Sequence, residues 1–379
     1  MPYAHRIAEA ALRRYLKMFP AVGLTGPRQS GKSTLLQHVL PEYTYLTFDD
    51  PKNILSFTDD PDGFLTQYHS HIIFDEIQYV PEIFNRIKIF IDKNRSTYGN
   101  FVLTGSSQFK FLQHATESLA GRIGLMSLLP FQYKEMPKAL VRESIFHGGY
   151  PELVMRNYNE SNLWYASYLE TYLNKDVRAL SNIGDMRDFR RFIQLLAANT
   201  AQLLDMSLYA RDIGVSVPTI KRWLSILEAS YIIFTVPPFY QNYGKRITKS
   251  PKVYFYDTGL ISYLTGITTY EQYDKGPLAG SLFENYIISE ILKKELHQAT
   301  LSDIYYFRTQ DNMEIDLIVD RKSTKDFIEI KKTATFHPNM INTLKKYAEP
   351  GCRSLLLYNG EKHTHKDIEC IPYWDYLDS

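Results

Sequence analysis

The sequence predicts an α/β fold. A parallel sheet carries a phosphate-binding loop and is followed by a helical lid, a winged helix-turn-helix and a smaller α/β region. Three observations predict the sheet. Residues 21–24 are an apolar run leading into Gly26-Pro27-Arg28-Gln29-Ser30-Gly31-Lys32-Ser33, which fits G-x-x-x-x-G-K-[ST] at every fixed position. Residues 71–74 are a second run, ending in Asp75-Glu76. Residues 101–104 are a third, ending in Gly105-Ser106-Ser107. Continuous apolar runs, rather than alternating ones, mark strands buried on both faces, as in a parallel sheet.

Composition bounds what such a chain can do. The 379 residues suffice for two or three domains, and 44% apolar content supplies their cores. Lys and Arg number 43 against 42 Asp and Glu, a formal charge of +1, so any nucleic-acid surface must be a local patch. Two cysteines, Cys352 and Cys370, argue against a disulfide framework or a Cys-rich metal site. Charges interrupt residues 7–18, and no apolar run approaches the ~20 residues of a membrane span. The expectation is a soluble, cytoplasmic protein with no membrane partner.

Residues 3–18 read as an amphipathic helix, with Ile7, Ala11, Leu12, Tyr15 and Leu16 on one stripe. The loop at 26–33 then has a physical logic. Gly26 and Gly31 permit the tight turn that points successive N–H groups at phosphate oxygens. Lys32 reaches the β- and γ-phosphates, Ser33 ligates Mg²⁺, and the helix over 32–39, with Thr34 in its first turn, aims its positive end at the anion. Pro27, Arg28, Gln29 and Ser30 complete the loop. After a strand at 43–48, the run ending in Asp75-Glu76 supplies the other half of a nucleotide hydrolase. Asp75 would hold Mg²⁺ through water, and Glu76 would act as general base on the attacking water. Ser106, at the tip of the third strand, reads either as a γ-phosphate sensor or as an ordinary turn with a helix cap. Arg122, after Gly121, reads either as an arginine finger acting on a neighbour's nucleotide or as an intradomain salt-bridge arginine.

GPRQSGKST, HIIFDEIQ, LTGSSQF and SLAGRI, in this order, resemble the prokaryotic AAA+-type ATPases that carry a C-terminal domain of long-unassigned function. The resemblance extends to the end of the chain. It implies a parallel sheet with the phosphate-loop strand central, a trans-acting arginine and assembly into a ring.

Residues 136–184 read as the lid or linker, helical around a Gly148-Gly149-Tyr150-Pro151 break. Residues 185–256 change character. Helices at 189–203, 207–213 and 219–228 surround a glycine turn at 214–216, with Ser216 as N-cap; a hairpin over 231–256 follows, the order of a winged helix-turn-helix. Thr219, Lys221 and Arg222 lie where a recognition helix meets DNA, and Lys245, Arg246 and Lys249 lie on the wing. Over residues 201–250, six basic residues (Arg211, Lys221, Arg222, Lys245, Arg246, Lys249) face three acids (Asp205, Asp212, Glu228), a local excess that favours phosphate contact.

Residues 257–379 form the last region, with a loop expected at 276–280. Glu284 lies on a helix over 281–296, Asp316 in the strand 313–319, and Glu329 and Lys331 at i and i+2 on the next strand. Three carboxylates and a lysine can bind Mg²⁺, with Asp316 and Glu329 as ligands, and activate a water. Glu314 shares the Asp316 face only if that strand is regular. The pattern resembles the PD-(D/E)XK nuclease fold, and its thirteen-residue Asp-to-Glu interval is similar to archaeal Holliday-junction resolvases. Two functions are expected. The first is an ATP- and Mg²⁺-dependent ATPase that binds branched or duplex DNA for remodelling or processing. The alternative is a nucleotide-switched regulatory ATPase acting on a protein partner, with the nuclease-like region purely structural.

Overall fold

The computed structural model describes residues 3–105, 108–172, 186–239, 250–309 and 311–379. Ser106, Lys245, Arg246 and Lys249 lie outside the described residues. Two compact units make up the chain. The first is Met1–Phe131 with Ala229–Tyr231 and Leu296–Ala299; the second is Gln132–Glu228, Ile232–Glu295 and Thr300–Ser379. The stretches expected as lid, winged helix and nuclease-like region all fall mainly in the second unit. No helix among the described residues is long and apolar enough to cross a membrane.

The first unit is built on five parallel strands: β1 (Ala21–Thr25), β2 (Thr44–Thr47), β3 (Ile72–Asp75), β4 (Phe101–Thr104) and β5 (Ile123–Ser127). Their order is β2-β3-β4-β1-β5, so the strand entering the phosphate loop is interior, flanked by β4 and β5. Because side chains alternate across a strand, each apolar run feeds two cores. Ala21, Ile72, Phe74, Phe101 and Leu103 pack on one face with the helices Pro51–Asp59, Pro61–Gln67, Glu82–Lys93 and Gln108–Leu119. Val22, Leu24, Ile73 and Val102 pack on the other with Ala8–Met18 and Lys32–Val39. The first helix is shorter than the expected 3–18. It starts at Ala8, and residues 3–6 run ahead of it without helical structure.

In the second unit, helices Val141–His147, Pro151–Met155 and Ser161–Tyr172 precede the helices Met186–Ala198, Met206–Ile213 and Val217–Ala229. Asp205 caps Met206–Ile213 by accepting from the Ser207 and Leu208 N–H groups at 3.0 Å. Trp223 packs edge-on against Phe189 and tilted against Phe192, which ties the third of these helices to the first. Strands β6 (Ile233–Val236) and β7 (Lys252–Phe255) pair antiparallel. Asp257 is a hub. Its carboxylate accepts from Gly149 N at 2.8 Å and Tyr165 Oη at 2.6 Å, and it caps the helix Thr258–Thr265. The break at 148–151 and the start of the helix Thr258–Thr265 are therefore one packed feature.

The helix Ala279–His297 then leads into β8 (Asp303–Arg308), β9 (Glu314–Asp320), β10 (Lys325–Ile330), β11 (Arg353–Tyr358), β12 (His363–His365) and β13 (Ile368–Pro372). These form one mixed sheet, in the order β12-β13-β11-β10-β9-β8, with β10, β11 and β13 parallel. The expected loop at 276–280 is shorter, because Ala279 and Gly280 already belong to the helix.

Candidate functional site

The phosphate loop leaves β1 through Gly26, whose backbone sits at φ +143°. A Cβ there would lie 2.1 Å from the Leu128 carbonyl oxygen, so only glycine fits. Gly31 caps the following helix from the left-handed region, at φ +92°. Lys32 is buried and folds back over the loop, its Nζ donating to the carbonyls of Gly26 (3.0 Å) and Pro27 (2.8 Å). Ser30 is fully buried, and its Oγ has no hydrogen-bond partner among the described residues. Pro27 is buried, Arg28 half-buried, and Gln29 and Thr34 exposed.

Asp75 ends β3 beside this loop. Ser33 Oγ donates to Asp75 Oδ2 at 2.9 Å, and the Tyr45 hydroxyl, from the adjacent β2, donates to the same oxygen. Burial pushes the Asp75 carboxyl up from the usual range, while the Tyr45 and Ser33 bonds pull it back. Glu76 follows in the left-handed region at φ +53°, a conformation that costs a non-glycine residue of order 1–3 kcal/mol and is found at functional sites. Its carboxylate accepts from the Gln78 side-chain amide. The buried Gln78 also lies against Gly105 at the tip of β4, where a Cβ would come within 2.3 Å of Gln78 Oε1.

These residues fit a nucleotide triphosphate with Mg²⁺. A loop too tight for a Cβ, an orphaned buried hydroxyl at Ser30 and the Ser33–Asp75 pair form an anion cradle with a hard-cation donor set beside it. Ser33 and Asp75 are the residues that would hold the metal, which would neutralise phosphate charge.

Besides Tyr45, two contributors carried no sequence signal. Arg6, 2% exposed, donates from its guanidinium to Ser30 O (2.9 Å) and Leu129 O (2.6 Å), bracing the loop from the chain's beginning. Gln78 belongs to the HIIFDEIQ stretch, but nothing in its spacing marks it as the partner of Glu76.

Arg122 is not beside its own unit's phosphate loop. Its backbone carbonyl accepts from Ala21 N at 3.2 Å, at the start of β1, whereas the loop leaves the other end of that strand. Its guanidinium grips Asp92 with two bonds, at 2.8 and 3.0 Å. The Arg122–Asp92 contact is an ion pair within this unit.

In the second unit the sheet brings the four expected residues together. Lys331 Nζ lies 2.6 Å from Glu329 Oε1 and 3.3 Å from Asp316 Oδ2. Asp316 Oδ2 also accepts from Ile330 N at 2.8 Å. Glu284 accepts from Lys252 Nζ at 3.0 Å and from the Tyr254 hydroxyl at 2.8 Å. Glu314 shares the face, pairing with Lys252 and with Arg308. Burial, then the neighbouring Asp316, pushes the Glu329 carboxyl well up. Burial also pushes Glu284 up, to about 7, against the pull of Lys252. For Lys252 itself burial would lower the pKa, but Glu284, Asp316 and Glu314 more than offset it and hold it raised.

Lys331 Nζ pairs with both members of the expected Mg²⁺ pair, Asp316 and Glu329. Among the described residues no three His, Cys, Asp or Glu side chains are placed to hold a metal ion.

Of the residues expected to meet DNA, Lys221 and Arg222 are exposed and Thr219 is half-buried on the helix Val217–Ala229.

Three family models match the chain. One described as an AAA domain matches residues 18–137, and two described as domains of unknown function match 138–271 and 279–376. The uncharacterized proteins Rv2008c of Mycobacterium tuberculosis and Mb2031c of Mycobacterium bovis are 31% identical over 333 residues, covering 87% of this chain and 74% of each relative. The uncharacterized protein MJ1544 of Methanocaldococcus jannaschii is 22% identical, over 93% of this chain and 86% of its own. Among solved structures, the Walker-type ATPase PABY2304 of Pyrococcus abyssi aligns with a TM-score of 0.46 and 16% identity, over 68% of this chain and 94% of that one. With an AAA domain spanning the phosphate loop and the Asp75 strand, and 31% identity across most of the mycobacterial proteins, the chain belongs to their family of AAA-domain proteins.

Proposed function

We propose that this chain is a cytoplasmic, Mg²⁺-dependent ATPase that assembles as a homo-oligomeric ring and works on DNA, with branched DNA as its substrate class. The observation that carries the ATPase reading is the Ser33–Asp75 pair at 2.9 Å, set beside the loop that Lys32 folds over. Lys32 moves from the loop carbonyls to the phosphates, Glu76 accepts a proton from the attacking water, and Ser33 with Asp75 holds the metal. Arg122 serves a neighbouring copy's nucleotide, releasing Asp92 to do so.

The DNA reading is supported by the exposed Lys221 and Arg222 on the helix Val217–Ala229, in a helix-turn-helix stretch that continues into the β6–β7 hairpin. In this reading 136–184 is the lid, 185–256 a winged helix and 257–379 a nuclease-like module. Thr219, Lys221, Arg222, Lys245 and Arg246 contact DNA phosphates. ATP turnover with single-stranded, duplex and four-way-junction DNA tests it: stimulation by one form supports DNA work, and turnover indifferent to all three contradicts it.

A second reading has its own support. The carboxylates Glu284, Glu314, Asp316 and Glu329 are each ion-paired, by Lys252, Lys331 and Arg308, a network suited to a purely structural role. That favours a regulatory ATPase switching a protein partner. Salt-insensitive or absent DNA binding would select it.

A further inference from the structure

Lys252 is a buried lysine that the nucleotide chemistry does not use. It opens β7, and its side chain is only 4% exposed. Its Nζ is 3.0 Å from Glu284 Oε1 and pairs with Glu314 Oε1. Tyr254, two residues along and therefore on the same strand face, donates to the same Glu284 oxygen. One strand of a two-stranded hairpin thus sends an ammonium and a phenol into a cluster whose carboxylates come from the helix Ala279–His297, β9 and β10.

The cluster has more oxygen than its own sheet compensates. Lys331 serves Asp316 and Glu329 from one side, and Arg308 serves Glu314 from another. Remove Lys252 and Glu284 keeps only the Tyr254 hydroxyl, an uncharged donor. Glu329 Oε2, in a residue 7% exposed, has no hydrogen-bond partner among the described residues, while Oε1 is held by Lys331. A buried carboxylate oxygen without a donor points to ligand capacity that the resident groups leave unused. Carboxylates packed this closely need a cation, and a primary ammonium or a hard divalent ion each meets the need through oxygen contacts.

We propose that Lys252 is the resident cation of this cluster: its ammonium takes the place of a divalent metal and keeps the C-terminal sheet from binding one. The lysine comes from the hairpin and the carboxylates from elsewhere, so movement of β7 is what would open the site. The inference depends neither on ATP hydrolysis nor on DNA binding.

The test is a Mn²⁺ titration of the full chain without nucleotide or DNA, read by the paramagnetic signal of free Mn²⁺. Wild type, Lys252→Gln and Lys252→Met are each compared with the same chain also carrying Glu329→Gln. The wild-type isotherm should be unchanged by Glu329→Gln. Both Lys252 variants should gain one Mn²⁺ per chain, at least tenfold tighter than any wild-type binding, and lose it with Glu329→Gln. Mn²⁺ should also raise the melting temperature of the Lys252 variants while leaving that of wild type unmoved. Wild-type binding that Glu329→Gln removes would overturn the proposal, as would a folded Lys252 variant that gains no Mn²⁺. Should neither variant fold, the wild-type comparison decides: Glu329-sensitive binding overturns the proposal, and its absence supports it.

Discussion

Gly26 has no freedom to be anything else. Its φ of +143° is open to glycine alone, and the Leu128 carbonyl occupies the space of a side chain. Gly26→Ala should cost about 1–3 kcal/mol of stability and abolish nucleotide binding, measured by thermal melting and by nucleotide titration. Unchanged binding would mean that the loop tolerates rearrangement. The motif that named this glycine was legible because its chemistry is local: a few consecutive residues make one anion cradle. Arg6, Gln78 and Tyr45 were not legible for the complementary reason. Arg6 and Tyr45 meet the site through chain that returns from elsewhere, and no periodicity encodes which strand lies next to which; Gln78 reaches Glu76 through the left-handed turn at Glu76, which no spacing announces.

At the scale of elements, the pairing of Asp257 with the 148–149 turn shows what holds the helical part of the second unit. Gly148, at φ +79°, leaves room for the Asp257 carboxylate, which a Cβ would meet at 2.2 Å. Asp257→Ala would strand the buried Gly149 N–H and leave the Tyr165 hydroxyl with the His147 carbonyl at 2.9 Å. It should cost about 2–4 kcal/mol, seen as a lower melting temperature with Lys32-dependent turnover intact at low temperature. His147, in the helix before the turn, is held by burial at a pKa of about 4, down from 6.5. Its neutral form stabilises the fold, fully so above pH 6.5, and that contribution is lost as pH falls towards 4. After discounting for its partial exposure, about 1–2 kcal/mol should disappear over that window, and His147→Gln should flatten it in a pH series of melting curves. From the sequence, GGYP reads as a break, and Asp257 only as the first residue of the last region. That they are one feature was invisible, since 108 residues separate Gly149 from Asp257. The Glu284, Asp316, Glu329 and Lys331 set was legible because strand alternation placed three of its members. Lys252, arriving from a different hairpin, was not.

At the scale of the whole molecule, a near-neutral chain must bind DNA through a patch if it binds at all. Lys221→Ala with Arg222→Ala should weaken DNA binding uniformly across sequences and lower the slope of log K against log salt by about 2. An unchanged slope would remove this helix from the interface and favour the protein-partner reading. The central claim is that the phosphate loop hydrolyses ATP in response to DNA. The measurement that tests it most directly is ATP turnover by the full chain and by Lys32→Ala, with and without four-way-junction, duplex and single-stranded DNA at two salt concentrations. The account predicts Mg²⁺-dependent turnover stimulated several-fold by junction DNA, more so at low salt, and absent in Lys32→Ala. Full turnover by Lys32→Ala would contradict the nucleotide site, and wild-type turnover indifferent to every DNA form would contradict its coupling to DNA.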